Sequence, residues 1–292
     1  MHFLAVFYLH SMPCGGRIGV LEFDMKKTIV ILIALLCMST VFATGAKEFG
    51  PDESLEYIKG KGNLILGLDD SFPPMGYRDE NNEIVGFDID VAREVCSRLG
   101  VLLVLQPIDW NAKEQELATK QIDCIWNGFT VTEERKKILT FSESYVNNAQ
   151  VVIVLNDSPY QTLDDLKGKT IGLQAGSSAA EALDDSPAFK SSIKGVVEFK
   201  DNLTALMDLE AGGCDGVVMD LLVANYAIKQ SAKPMRILSQ GLAQEEYAVG
   251  FRLGEEALAN AVTNAMKAMV ADGTMANIAE KWFGADITVI GK

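Results

Sequence analysis

From residue 54 onward, short apolar runs alternate with amphipathic stretches. A short helix is predicted near 54–59. Leu64-Ile65-Leu66-Gly67-Leu68 then reads as a buried strand, ended by Asp69-Asp70-Ser71 and Pro73-Pro74. Val91, Val95 and Leu99 recur at helical spacing, which predicts a helix from a cap at Asp88 to a stop at Gly100. A strand over 101–106, a helix over 112–120 and a strand over 122–126 follow. The strand 150–155 opens a second alternation. It has a helical turn at 163–166, strands at 170–173, 196–199 and 216–219, and helices at 178–183, 202–210 and 221–230. A strand near 247–251 leads into helices at 255–271 and 274–282. Such alternation predicts an α/β fold with mixed, mostly parallel sheets flanked by helices. Extended segments near 145–155 and 244–251 split the pattern in two. They predict two lobes joined by two crossings, with lobe 1 at 63–147 plus 248–292, lobe 2 at 148–247 and a lead-in at 44–62.

The pattern before residue 44 is different. Met25-Lys26-Lys27 is followed by an apolar run from Thr28 to Met38 and then by Ser39-Thr40-Val41-Phe42-Ala43. A basic start, a short apolar stretch and a small-residue end make a secretory signal. The run is shorter than the roughly 20 apolar residues of a membrane span. Cleavage after Ala43 is expected, with the mature chain periplasmic or otherwise extracytoplasmic; a retained anchor is the alternative. Lipid modification at Cys37 is disfavoured by the bulky Leu36 before it. Residues 1–24 precede a second candidate start at Met25 and are assigned no role.

Composition narrows the chemistry. A chain of 292 residues with 48% apolar content has room for one large domain or two lobes and is not disordered in bulk. Its net charge of −14 argues against nucleic acid and anionic membrane as main partners. Both histidines, His2 and His10, fall in the segment expected to be removed. That excludes Ser-His-Asp and Cys-His catalysis and His-ligated metal from the mature chain, and no cofactor or metal is expected. Cys96, Cys124 and Cys214 show no metal spacing. The first two read as small buried hydrophobes, whereas Cys214, in the turn Gly212-Gly213-Cys214-Asp215, is open to pairing.

In open α/β sheets ligands sit beyond the carboxyl ends of strands. Asp69 and Phe72 follow the first strand, Asn127-Gly128-Phe129-Thr130 the strand at 122–126, Gln174 through Ser178 the strand at 170–173, and Asp220 the strand at 216–219. Arg135 lies just beyond Thr130. Together they suit an amino-acid zwitterion. Arg135 offers a bidentate fork for a carboxylate. Thr130 and Ser177 or Ser178 add donors, the serines at a helix start. Asp220 and the Gly128 carbonyl can take an ammonium, and Phe72 and Trp110 can wall the side chain. Trp126 and Phe129 read as core, Met219 as an apolar wall, Lys136 and Lys137 as a solvated face, and Glu133-Glu134 as support for the first turn around Arg135.

Leu64–Tyr77, Gly86-Phe87-Asp88-Ile89-Asp90, Asp123–Lys137, Gln174–Ser178, Gly216–Asp220, Asp272-Gly273-Thr274 and Lys281-Trp282-Phe283-Gly284 occur in an order that resembles the bacterial periplasmic amino-acid-binding proteins of ABC importers, solute-binding family 3. The resemblance spans nearly all of 60–285 and implies the two-lobed type II periplasmic-binding-protein fold. It further implies Arg135 on the ligand α-carboxylate with Thr130, Ser177 and Ser178. Asp220 and Gly128 would hold the α-ammonium, and Asp69, Asn127 and Gln174 would face the side chain between Phe72 and Trp110. The implied partners are a polar amino acid (glutamine, cystine or arginine, a neutral one slightly ahead of a basic one because Gln174 donates as well as accepts) and the membrane subunits of an ABC permease, with the receptor a monomer. Gln174, Met219 and Asn127 depart from residues often found there and leave ligand identity open. Two other classes compete: a carboxylic-acid dehydratase on the same fold, which needs an acid or base over a ligand without an ammonium, and the sensor lobes of a membrane receptor.

Overall fold

A computed structural model describes residues 52–231 and 233–292, and the expected secretory segment lies outside them. In the first half, α1 (Ser54–Lys61) leads into β1 (Asn63–Leu68), whose Leu64, Leu66 and Leu68 are fully buried. The turn-rich stretch after β1 forms a small antiparallel sheet of its own, β2 (Ser71–Phe72), β3 (Gly76–Arg78) and β4 (Ile84–Val85). Then come α2 (Phe87–Leu99), β5 (Leu102–Pro107), α3 (Lys113–Ala118), β6 (Cys124–Ile125), the single turn α4 (Glu133–Lys136) and β7 (Leu139–Phe141). The second half holds β8 (Val146–Leu155), β9 (Thr170–Gln174), α5 (Ser178–Asp184), α6 (Pro187–Ser192), β10 (Gly195–Phe199), α7 (Asn202–Ala211), β11 (Gly216–Asp220), α8 (Leu221–Gln230), β12 (Met235–Ile237) and β13 (Ala243–Tyr247). The chain ends with β14 (Gly250–Arg252), α9 (Glu256–Ala271) and α10 (Thr274–Phe283).

The strands form two larger sheets, ordered β5-β1-β6-β14-β7 and β10-β9-β11-β8-β12, with β13 paired to the other end of β8. Pairing is parallel only where helices connect the strands, between β1 and its neighbours β5 and β6 and between β9 and its neighbours β10 and β11. β14 and β8 bring antiparallel pairing into the two sheets, which are therefore more evenly mixed than βα alternation predicts. The expected strand near 247–251 divides, because β13 pairs with β8 in one sheet and β14 with β6 and β7 in the other. Only Ala248 and Val249 separate them. β8 and β13 run side by side from Val146 opposite Tyr247 to Gln150 opposite Ala243, so the two crossings are one antiparallel ribbon.

α9 and α10 return to the first sheet. Leu258, Val262, Met266, Met269, Met275 and Ala279 join Leu64, Leu66, Phe87, Val91 and Val95 in one core. Burying each such large aliphatic side chain contributes about 1.5–3 kcal/mol relative to exposure. The α2 start differs from the expected cap. Gly86 holds the N-cap position and Asp88 is fully buried inside the first turn. Its carboxylate accepts from the Gly128 N–H at 2.6 Å and the Tyr145 hydroxyl at 2.8 Å, so it anchors the loop after β6. Cys96, Cys124 and Cys214 are all buried and free, including the one open to pairing.

Candidate functional site

The carboxyl ends of β1, β6, β9 and β11 face one another between the two sheets. Nine of the eleven residues singled out from the sequence line a single cavity there: Phe72, Trp110, Gly128, Thr130, Arg135, Gln174, Ser177, Ser178 and Asp220. Asp69 and Asn127 stand behind its wall. The Asp69 N–H donates to Asn127 Oδ1 at 3.2 Å, which makes Asn127 a support for Asp69. The cavity measures about 10 Å³, roughly the room for one water molecule. A larger solute enters only if the two walls part.

Arg135 reaches this cavity from α4, where the Thr132 hydroxyl accepts from the Arg135 N–H at 3.2 Å and caps the turn. Its side chain is buried, and the guanidinium lies 4.5 Å from the centroid of the Phe129 ring. Phe129, expected only as core, is therefore also the floor under the cation. Nη1 donates to the Thr130 carbonyl at 2.8 Å and Nη2 to the Gly176 carbonyl at 3.3 Å. Among the described residues these are the only hydrogen bonds of a group with five donors. The Glu181 carboxylate stands 4.0 Å from Nε. Burial pulls the guanidinium below its ordinary pKa, and the carboxylates of Glu181, Glu114, Glu245 and Asp220 oppose the shift.

Asp220 faces the cavity from the end of β11. Its Oδ1 accepts from Asn148 Nδ2 at 2.6 Å and from the Tyr247 hydroxyl at 2.7 Å. Burial pushes the carboxyl up to about 7, helped by the nearby charge of Glu245 and opposed by hydrogen bonds from Tyr247, Gln150 and Asn148. Glu245 Oε2 accepts from Gln150 Nε2 at 2.9 Å, Asn148 Nδ2 at 3.0 Å and the Thr130 hydroxyl at 3.1 Å. Ser178 in turn donates to the Thr130 hydroxyl at 3.1 Å. The polar row of Asn148, Gln150, Glu245 and Tyr247 was not legible along the chain. It depends on β8 and β13 pairing with Asn148 opposite Glu245. Strand alternation could have put these residues on one face, but nothing local gave their register.

At the other end of the cavity, Gln174 Nε2 donates to Asp69 Oδ2 at 2.7 Å and Asn202 Nδ2 donates to Gln174 Oε1 at 3.2 Å. The Ser71 N–H holds Asp69 Oδ1 at 2.9 Å. Burial raises the Asp69 carboxyl to about 6 against the Gln174 hydrogen bond. Ser177 turns its hydroxyl back to the Gln174 carbonyl at 2.8 Å. Trp110 meets Phe129 edge-on at 5.9 Å between centroids. Gly128 has φ +56°, and a Cβ there would lie 2.8 Å from the Phe72 ring, so this close approach requires glycine.

Residues 64–285 match the model of the bacterial extracellular solute-binding proteins, family 3. The chain is 31% identical to the L-cystine-binding protein TcyJ of Escherichia coli over 88% of its own length and 96% of that protein's. It is 29% identical to the arginine-binding extracellular protein ArtP of Bacillus subtilis, covering 89% of this chain and 98% of the relative. A crystal structure of an ABC uptake transporter substrate binding protein from Streptococcus pneumoniae with bound histidine superposes with a TM-score of 0.79 at 34% identity, covering 82% of this chain and 99% of that one. No helix of the described residues is long and apolar enough to cross a membrane. Sequence order, two-sheet architecture and similarity along nearly the full length of its relatives agree: the chain belongs to the bacterial extracellular solute-binding proteins, family 3.

Proposed function

We propose that the chain captures a polar amino acid between two lobes, 63–147 with 248–292 and 148–247, and delivers it to the membrane subunits of an ABC importer, acting as an extracytoplasmic monomer. The carrying observation is that a buried cation, Arg135, and a buried anion, Asp220, line one cavity together with the hydroxyls of Thr130 and Ser178. A zwitterion needs that set: a fork for its carboxylate, an anion for its ammonium and donors beside both. In this reading Arg135 takes the α-carboxylate, Asp220 and the Gly128 carbonyl take the α-ammonium, and Phe72 and Trp110 enclose the side chain.

The side-chain end favours a ligand with a second positive group. Gln174 spends its amide on Asp69 and Asn202, which leaves Asp69, just behind the wall, as the buried carboxylate at that end. A cationic side chain there would draw a carboxyl raised to about 6 back into the ionised form. Arginine is accordingly placed first, cystine second and glutamine third, in keeping with relatives named for cystine and arginine. The carboxylic-acid dehydratase reading has less support, since the matching family and the named relatives are binding proteins. Calorimetry against the twenty standard amino acids and cystine tests the proposal. Binding of arginine or cystine ahead of leucine is expected, and a clear preference for leucine overturns it.

A further inference from the structure

Lys113 is the second buried cation of the cleft, and no role in solute capture has been given to it. It opens α3 below the first sheet, and its side chain is 2% exposed. Its ammonium pairs with the Glu114 carboxylate at 3.1 Å and donates to the Trp110 carbonyl at 3.2 Å and the Gly176 carbonyl at 2.7 Å. The last bond crosses the cleft, because Gly176 lies between β9 and α5 of the second sheet. The same carbonyl also accepts from Arg135 Nη2. Gly176 has φ +70°, and a Cβ there would lie 2.9 Å from Asn111 Oδ1 and 3.4 Å from the Lys113 ammonium. The two walls thus meet backbone to side chain at a point where only glycine fits.

We propose that Lys113 is a positioning residue that latches the cleft shut over bound solute by donating across it to the Gly176 carbonyl, and so sets how long the solute stays. This rests on the solute-capture reading above. A lysine with its ammonium out of water is costly unless fully paired, and Arg135 beside it adds repulsion. Burial and Arg135 together pull Lys113 down to about 8. A solute carboxylate on Arg135 neutralises that neighbour, so the latch closes more favourably with solute present than without it. Lys113 does not line the inner cavity around the candidate site, so its effect is the same for every solute that brings a carboxylate.

The test uses the full mature chain and two variants, Lys113→Met and Gly176→Ala, measured by calorimetry, stopped-flow dissociation and solution scattering with arginine, cystine and histidine. Losing one charge-assisted hydrogen bond predicts roughly 10- to 100-fold weaker binding. The loss should be carried by faster dissociation, with the ranking of the three solutes unchanged and a larger radius of gyration at saturation. Gly176→Ala should act in the same direction, because its Cβ would press on Asn111 and hold the walls apart, and it stands alone should Lys113→Met fail to fold. Affinity and dissociation at wild-type levels in the folded variants, or a reordered ranking, overturn the latch. A wild type that binds no amino acid overturns the capture reading on which the latch depends, and the two failures are thereby distinguished.

Discussion

The two ends of the cleft are built on different terms. At the Arg135–Asp220 end, each charged group is held by protein contacts that leave part of it directed at the cavity: Arg135 by two backbone carbonyls and the Phe129 ring, Asp220 by Asn148 and Tyr247 on one oxygen. At the Asp69–Gln174 end, the polar groups are bonded chiefly to one another, in a chain from Asn202 through Gln174 to Asp69. The first arrangement suits what all α-amino acids share. The second has to be rearranged by a side chain that competes for Asp69. Under the proposed capture reading, the difference assigns recognition of the shared zwitterion to groups already aimed at the cavity and the choice among solutes to a hydrogen-bond chain that a substitution can rewire.

The largest effect should come from breaking the shared end. Arg135→Ala removes one member of a buried ion pair with the solute and should cost about 2–5 kcal/mol for every amino acid tested. Arg135→Lys should recover only part, since a point cation replaces a planar fork. Calorimetry decides, and near-normal binding by both would take Arg135 out of the site. Asp220→Asn comes next, at about 1.5–3 kcal/mol for a hydrogen bond to a charged group. It should also leave the solute-bound protein more open in solution scattering. A wild type whose radius of gyration does not change on saturation would refute closure altogether.

Asp69→Asn sharpens the contrast from the other end. Arginine should lose roughly tenfold in affinity while glutamine changes little, because only a cationic side chain uses that charge. A uniform loss across solutes would show that the two ends are not separable in function.

The smallest effects are expected from pH, and they run in opposite directions. Asp220 is raised to about 7, Asp88 to about 7 and Asp69 to about 6, each chiefly by burial. A carboxyl whose folded pKa lies above its unfolded value favours the folded state most when protonated. Its contribution therefore declines as pH rises from about 4 through 7. Melting of the solute-free protein between pH 5 and 8 should register that decline. Solute binding behaves inversely, since an ammonium pairs with ionised Asp220 and displaces its proton. Affinity should rise severalfold between about pH 5.5 and 7.5, with proton release visible as a buffer-dependent heat. Glu245→Gln should move this rise to lower pH, because it removes the charge that helps hold Asp220 up.

Much of this was legible along the chain. The apolar alternation around Leu64–Leu68, Thr170–Gln174 and Gly216–Asp220 located strands whose ends carry the candidate residues, and Arg135 stood out as a fork close to them. Boundaries were less legible. The strand expected at 122–126 is two residues by pairing, and the segment after β1 folds into a small sheet that its Pro and Asp content disguised as a turn. Asp88 reads along the chain as a cap because an acid near a helix start usually caps it. Its actual partners are 40 and 57 residues away.

What the sequence determined by itself is whatever depends on local periodicity and on residue type: two βα alternations, two crossings and a cation–anion set suited to a zwitterion. Tertiary structure decided which groups meet. Thr130 bonds Glu245 across 115 residues and Lys113 bonds Gly176 across 63, and each joins a residue carried by the first sheet to one carried by the second. The reason is physical. Hydrophobic period acts on neighbours a few residues apart, whereas the electrostatics of a buried site is set by groups that the chain carries together only after its two sheets have formed.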